Sequence, residues 1–170
     1  MERTEWETKL NNLHTRPQGI SSEHQINYPE LLSLVKVGLN AKVLDIGCGT
    51  CWLKYLLPNR IYLGIDAHPL SEDVYKEEIE TCELPDQCVD TSFVFAALDG
   101  MRDLTQAIHH IKRVTKENIV ILTGVNIPPD QYHTHEITVE FIDSQMSGFK
   151  KTVEKYVHEK IVFLEYTRCE

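Results

Sequence analysis

The segment Val43-Leu-Asp-Ile-Gly-Cys-Gly49 constrains the fold more than any other part of this 170-residue sequence. A short apolar run enters two glycines separated by one residue, and Trp52–Leu57 continues at helical spacing until Pro58. Such a run, bounded by glycine, reads as a buried strand. Glycine is favoured in the turn that follows because the backbone there must turn left-handed or let something approach closely. Strand, tight turn and helix make the first half of a βαβ unit. Ile61-Tyr-Leu-Gly-Ile65, closed by Asp66, supplies the second strand.

The alternation continues downstream. Val74–Ile79 reads as a weak, charged third strand and Thr91–Ala97 as a strong fourth. Asp103 starts a helix with Gln106 as capping partner, and Leu104, Ala107, Ile108, Ile111 and Val114 follow at helical spacing. Ile119–Leu122 is a fifth strand, Thr138 caps a helix through Phe149, and Thr152–Val157 with Ile161–Tyr166 form a hairpin. Upstream, Thr4–Glu7 is a capping box for a helix with Trp6, Leu10 and Leu13 on one face. A polar loop and a short helix opened by Pro29, carrying Leu31, Leu32 and Val35, lead to Gly38. The expected fold is α/β: a Rossmann-like three-layer sandwich with a mostly parallel sheet and a C-terminal antiparallel hairpin. Residues 1–38 are expected to be an N-terminal helical lid segment and residues 39–170 the ligand-binding domain.

Charge and cysteine usage exclude several functions. Seventeen basic against 26 acidic residues give a net charge of −9, which disfavours duplex nucleic acid as a partner. Lys112, Arg113 and Lys116 cluster at a helix C-terminus, where cations complement the dipole. No apolar run reaches the roughly 18 residues that a membrane span requires, and no basic start precedes an apolar stretch at Met1. A cytoplasmic location without membrane association is therefore expected. Cys48 and Cys51 form a C-x-x-C without a second pair at comparable spacing, so free thiols and no metal site are expected. Asn126-Ile-Pro-Pro129 resembles the signature of amino-methylating nucleic-acid enzymes, but it follows the fifth strand rather than the fourth.

The glycine turn carries two features that discriminate between ligands. A dinucleotide site wants a third small residue three positions after Gly49, and that position holds Trp52. Asp45, two residues before Gly47, would repel a pyrophosphate but attract an amino group or a sulfonium. Asp66 falls where an acid would hold a ribose. The pattern fits a cationic, phosphate-free adenosine ligand.

Val43–Thr50, with Asp66 ending the next strand, resembles the cofactor signature of class I S-adenosylmethionine-dependent methyltransferases. Further segments resemble that family in order: Leu84-Pro85 with Asp90 before the fourth strand, Ala97–Met101, Arg113–Lys116 and His135–Val139. The resemblance implies S-adenosylmethionine as cofactor and S-adenosylhomocysteine as product. By position, Asp45 would face the methionine amino end, with Gly47, Cys48 and Gly49 passing beneath it. Asp66 would take the ribose hydroxyls, with Ala67 beside the adenine. Glu80 would meet the adenine amino group, Glu78 being the competing alignment. Ala97 and Leu98 would line the floor near the sulfonium, and Asp99, His133 and His135 are substrate-side candidates for a general base. Three departures stand out: Cys51 replaces the loop's third glycine, little room remains for a helix between Asp66 and Val74, and the third strand is charged. The function implied is methyl transfer to a small molecule or other non-nucleic-acid acceptor. The alternative is a non-catalytic binding or regulatory module, with cofactor cleavage a third option. Oligomeric state is not legible.

Overall fold

The computed structural model describes residues 26–70 and 72–170. The N-terminal helix, and with it most of the expected lid segment, lies outside the described residues. Seven strands form one sheet in the order β3-β2-β1-β4-β5-β7-β6. They are β1 (Lys42–Ile46), β2 (Ile61–Asp66), β3 (Tyr75–Lys76), β4 (Val89–Phe95), β5 (Thr115–Gly124), β6 (Phe149–His158) and β7 (Ile161–Arg168). The first five run parallel, and β7 is antiparallel to both β5 and β6. The Rossmann-like architecture expected from the alternation is therefore present, with the hairpin closing one edge.

Helices cover both faces. On one face α3 (Leu104–Val114) and α4 (Val139–Gln145) bury Ile108, Ile111 and Ile142 against Leu44, Val94, Ile121 and Leu164. On the other, α1 (Tyr28–Leu32) and α2 (Leu53–Leu56) bring Leu31 and Leu53 onto Val43, Phe93, Val120 and Phe163. Strands β1, β4 and β5 are buried on both faces, which is why their sequences read as continuous apolar runs rather than alternations. Three of these four helices, all but α2, start at a capping side chain. Asn27 accepts the Glu30 N–H, Asp103 accepts the Gln106 N–H, and Thr138 accepts the Phe141 N–H.

Four details differ from the sequence reading. The third strand is only Tyr75–Lys76, an exposed edge; beyond it Ile79–Thr81 turns as a 3-10 helix that buries Ile79 and Glu80. The fourth strand stops at Phe95 because Ala96 takes φ +53°, which no strand continues through. Asp90 lies within β4 rather than before it, accepting the Lys42 N–H at 2.8 Å. The last helix ends at Gln145, since Gly148 turns with φ +85° and Phe149 opens β6. The cationic cluster is also more specific than a dipole complement. Arg113 donates to the Leu84 and Cys82 carbonyls and to Asp86, tying the 82–86 loop to α3. The cation on the carbonyls at the end of α3 is Arg168, which donates to Lys112 and Thr115.

Candidate functional site

The strand order reverses direction at β1, which lies between β2 and β4. In open α/β sheets the crevice at such a switch point, outside the C-terminal strand ends, is where ligands bind. Asp45, Gly47–Gly49, Asp66 and Ala97 all belong to the C-terminal ends of β1, β2 and β4, or to the turns directly after them.

The turn after β1 is shaped by contact. Gly47 adopts φ +69°, and a Cβ there would lie 2.3 Å from Ala97 Cβ, so glycine is required twice over. Gly49 adopts φ +49° with nothing within 4 Å of where a Cβ would point, so open space faces this residue. Cys51, in place of the third glycine, takes the left-handed conformation itself, with φ +58°. Trp52, the bulky residue that argued against a dinucleotide, packs on Tyr28 at a centroid distance of 4.3 Å and fills the α1 side of the sheet. The Cys48 and Cys51 sulfurs are 3.7 Å apart, both are buried, and both are free thiols. Burial, with the Asp45 carboxylate beside it, pushes the Cys48 thiol far up, so it stays protonated.

Two acids stand in this mouth in different circumstances. Asp66, 8% exposed, accepts the Gly49 N–H at 2.9 Å with one oxygen and the His68 N–H at 2.8 Å with the other. It clamps the glycine turn while each oxygen keeps a further lone pair. Asp45, 4% exposed, accepts the Tyr62 hydroxyl at 2.6 Å. Its carboxyl is raised to about 7, chiefly by burial and further by the like charge of Asp66, against the lowering effect of the Tyr62 hydrogen bond. Tyr62 was not singled out from the sequence.

The other candidates fall into two groups. Ala67 follows Asp66 and is half-buried, while Leu98 is fully buried in the core on the α3 side. Glu80 is buried and accepts the Arg102 N–H at 2.7 Å, whereas Glu78 pairs with the Arg102 guanidinium at 3.1 Å. Between Asp66 and Tyr75 the described residues form no helix, as the short spacing implied.

Asp99, His133 and His135 come together across the 3-10 turn after β4 (Leu98–Gly100) and the loop after β5. The Asp99 carbonyl accepts the Thr134 N–H at 3.0 Å. His133 Nε2 is 3.6 Å from the Asp99 carboxylate, and its Nδ1 is 2.8 Å from Asp130. Asp130 also accepts the Tyr132 and His133 N–H groups; burial raises its carboxyl, but these bonds together hold it below the usual range. An ionised Asp130 fixes the proton on Nδ1, which leaves Nε2 the basic nitrogen. Burial raises the Asp99 carboxyl, partly offset by His133. His135 Nε2 donates to the Met101 carbonyl at 2.8 Å and so tethers the loop. Asp130 was missed in the sequence, although Pro-Asp followed three residues later by His is the spacing of an Asx turn that turns back onto a side chain.

Residues 44–123 match the family model described as a methyltransferase domain. No curated protein matches the chain. Among solved structures, an S-adenosylmethionine-dependent methyltransferase from Aquifex aeolicus is 17% identical, with a TM-score of 0.69 over 92% of this chain and 97% of that one. One from Mesorhizobium loti is 16% identical, with a TM-score of 0.66 over 83% and 97%. A chain from a complex of the Haloferax volcanii Trm112 methyltransferase activator with a methyltransferase is 13% identical, with a TM-score of 0.72 over 95% and 96%. Among the described residues, no helix is long and apolar enough to cross a membrane. Residues 44–123 are thus similar to a methyltransferase domain, and the chain has the Rossmann-like fold of these solved methyltransferases.

Proposed function

We propose that this chain transfers a methyl group from S-adenosylmethionine to a small, non-nucleic-acid acceptor whose reacting atom carries a proton. The observation that carries the reading is the pairing of Asp45 and Asp66 around a glycine turn open at Gly49. Two carboxylates and no built anion cradle suit an adenosine ligand with a positive charge and no phosphate. S-adenosylmethionine, the methyl donor of class I enzymes, supplies a methyl group on a sulfonium that is already a good leaving group.

The chain's own residues then have three tasks. Asp66 holds the ribose diol with the lone pairs its backbone partners leave, with Ala67 beside the adenine and Glu80, through its second oxygen, toward the adenine amino group. Asp45 meets the amino end, over the main chain of Gly47, Cys48 and Gly49, while Ala97 forms the floor with Leu98 beneath. On the acceptor side, His133 Nε2, held by Asp130, takes the acceptor's proton, and Asp99 stabilises the imidazolium that forms. Thr134 supports a polar acceptor: its hydroxyl is buried with no hydrogen-bond partner among the described residues. The net charge of −9 argues against a polyanionic acceptor.

The second reading, a cofactor-binding module without turnover, is favoured by the segment after Asp66, where the described residues form no helix, which thins one wall of the adenine site. Incubation with methyl-labelled S-adenosylmethionine and a panel of phenols, alcohols, amines and thiols separates the two. Formation of S-adenosylhomocysteine and a labelled acceptor, with kcat falling about 10²–10⁴-fold in His133→Asn, supports the enzyme. Tight binding with no transfer to any acceptor supports the module instead.

A further inference from the structure

We infer that Tyr62 and Asp45 form a proton-coupled counter-ion: an amino-acid-bearing ligand binds with release of a proton from Asp45, and the Tyr62 hydroxyl aims the carboxylate and sets the pH of that release. The inference rests on the cofactor reading above and adds a residue that no cofactor motif contains.

The geometry is specific. Asp45 sits next to the end of β1 and Tyr62 on the adjacent β2, in register with Val43, two residues before Asp45. The phenol reaches back along the sheet to donate at 2.6 Å to a carboxylate that is almost wholly buried. The groups that face Asp45 are Tyr62 and Asp66 from β2 and the Cys48 thiol from the glycine turn, which the Cys51 thiol meets in turn; β4 sets Phe93 beside it. The charge acting on it is therefore that of Asp66, of its own sign. Burial and that repulsion leave the carboxyl titrating at about 7. The Tyr62 hydroxyl is pushed far up, chiefly by burial, so it remains a donor throughout. A ligand ammonium would supply the missing opposite charge and favour the carboxylate, which expels the proton.

Binding of S-adenosylhomocysteine and of 5′-methylthioadenosine, which lacks the amino-acid moiety, is measured by calorimetry from pH 5.5 to 8.5. Buffers of different ionisation enthalpy give the proton count. The expected result is release of up to about one proton with S-adenosylhomocysteine below pH 7, falling toward zero by pH 8.5, and none with 5′-methylthioadenosine. Tyr62→Phe removes the bond that favours the carboxylate. It should move half-release upward and weaken S-adenosylhomocysteine about tenfold at pH 7, with 5′-methylthioadenosine unchanged. Equal proton counts for the two ligands, or equal losses of both in Tyr62→Phe, overturn the inference while leaving the cofactor reading intact. The wild-type proton count decides even where the variant does not fold. Failure of both ligands to bind overturns the cofactor reading and this inference together.

Discussion

Asp66→Ala tests the site most directly, because the structure gives Asp66 one duty and the proposed function a second. Its carboxylate accepts the Gly49 N–H at 2.9 Å and the His68 N–H at 2.8 Å, and it is 8% exposed. Hydrogen bonds to a charged group are worth about 1.5–3 kcal/mol each. Water can reach the half-buried Gly49 and His68 amides, so their joint loss should cost about 2–4 kcal/mol of stability. From sequence alone, a carboxylate at a strand end would be expected to contribute little. On the ligand side, losing the ribose contacts should weaken S-adenosylhomocysteine by roughly tenfold to a few hundredfold. The control is Asp90→Ala, at the opposite end of the sheet. It loses the Lys42 N–H bond at 2.8 Å and a 3.7 Å pairing with Lys116, so stability falls modestly and affinity holds. Urea denaturation and calorimetry of both folded variants give the two readouts. If both weaken S-adenosylhomocysteine equally, the site has been placed wrongly; if Asp66→Ala leaves the urea midpoint unchanged, the clamp on the glycine turn is not what holds it.

The other substitutions separate backbone from charge. Gly47→Ala forces a Cβ to 2.3 Å from Ala97 at a left-handed φ and should abolish soluble folded protein, judged by circular dichroism. Gly49→Ala meets nothing within 4 Å, so it should cost only about 1 kcal/mol in stability yet impair S-adenosylhomocysteine binding; a fully retained affinity would mean that the ligand does not pass there. Asp45 titrates at about 7 in the fold, against 3.8 for the unperturbed group, so the folded state binds more protons between those values and stability falls as pH rises through them. Asp45→Asn should therefore raise stability at pH 8 by up to about 4 kcal/mol, the gain shrinking toward pH 4. An unchanged stability profile with pH would refute the burial argument.

What the sequence made legible, and what it did not, follows from the range of the interactions involved. The Val43–Gly49 turn, Asp66 and the helix from Asp103 were readable because each is fixed by a local constraint: strand burial on both faces, a left-handed φ, or a capping side chain. The third strand was over-read, because Val74, Tyr75 and Ile79 suggested a strand running through three charged residues, yet only Tyr75–Lys76 pairs, at an exposed edge. Asp90 looked like a turn residue, but its carboxylate substitutes for a missing sheet partner by accepting the Lys42 N–H. Tyr62 and Arg113 act across 17 and 27 to 31 residues respectively, and no local spacing announces such contacts. A tyrosine inside a half-buried strand carried the one available hint, since its hydroxyl must find a partner somewhere.

The arrangement also explains why two acids can share one buried mouth. Burial raises the cost of ionising Asp45, and the neighbouring Asp66 adds to it. Asp66 answers this with two main-chain amides, which makes its charge part of the fold. Asp45 is given a phenol and no amide, so its ionised form is left under-compensated until something cationic arrives. The same turn therefore separates a structural acid from a responsive one. Their order along the chain follows the sheet: the acid before the glycines looks inward to β2, while the acid after them reaches back to hold the glycines still. Exchanging the two environments, by giving Asp45 an amide donor in place of Tyr62, would stabilise the free protein and flatten its response to the ligand's charge.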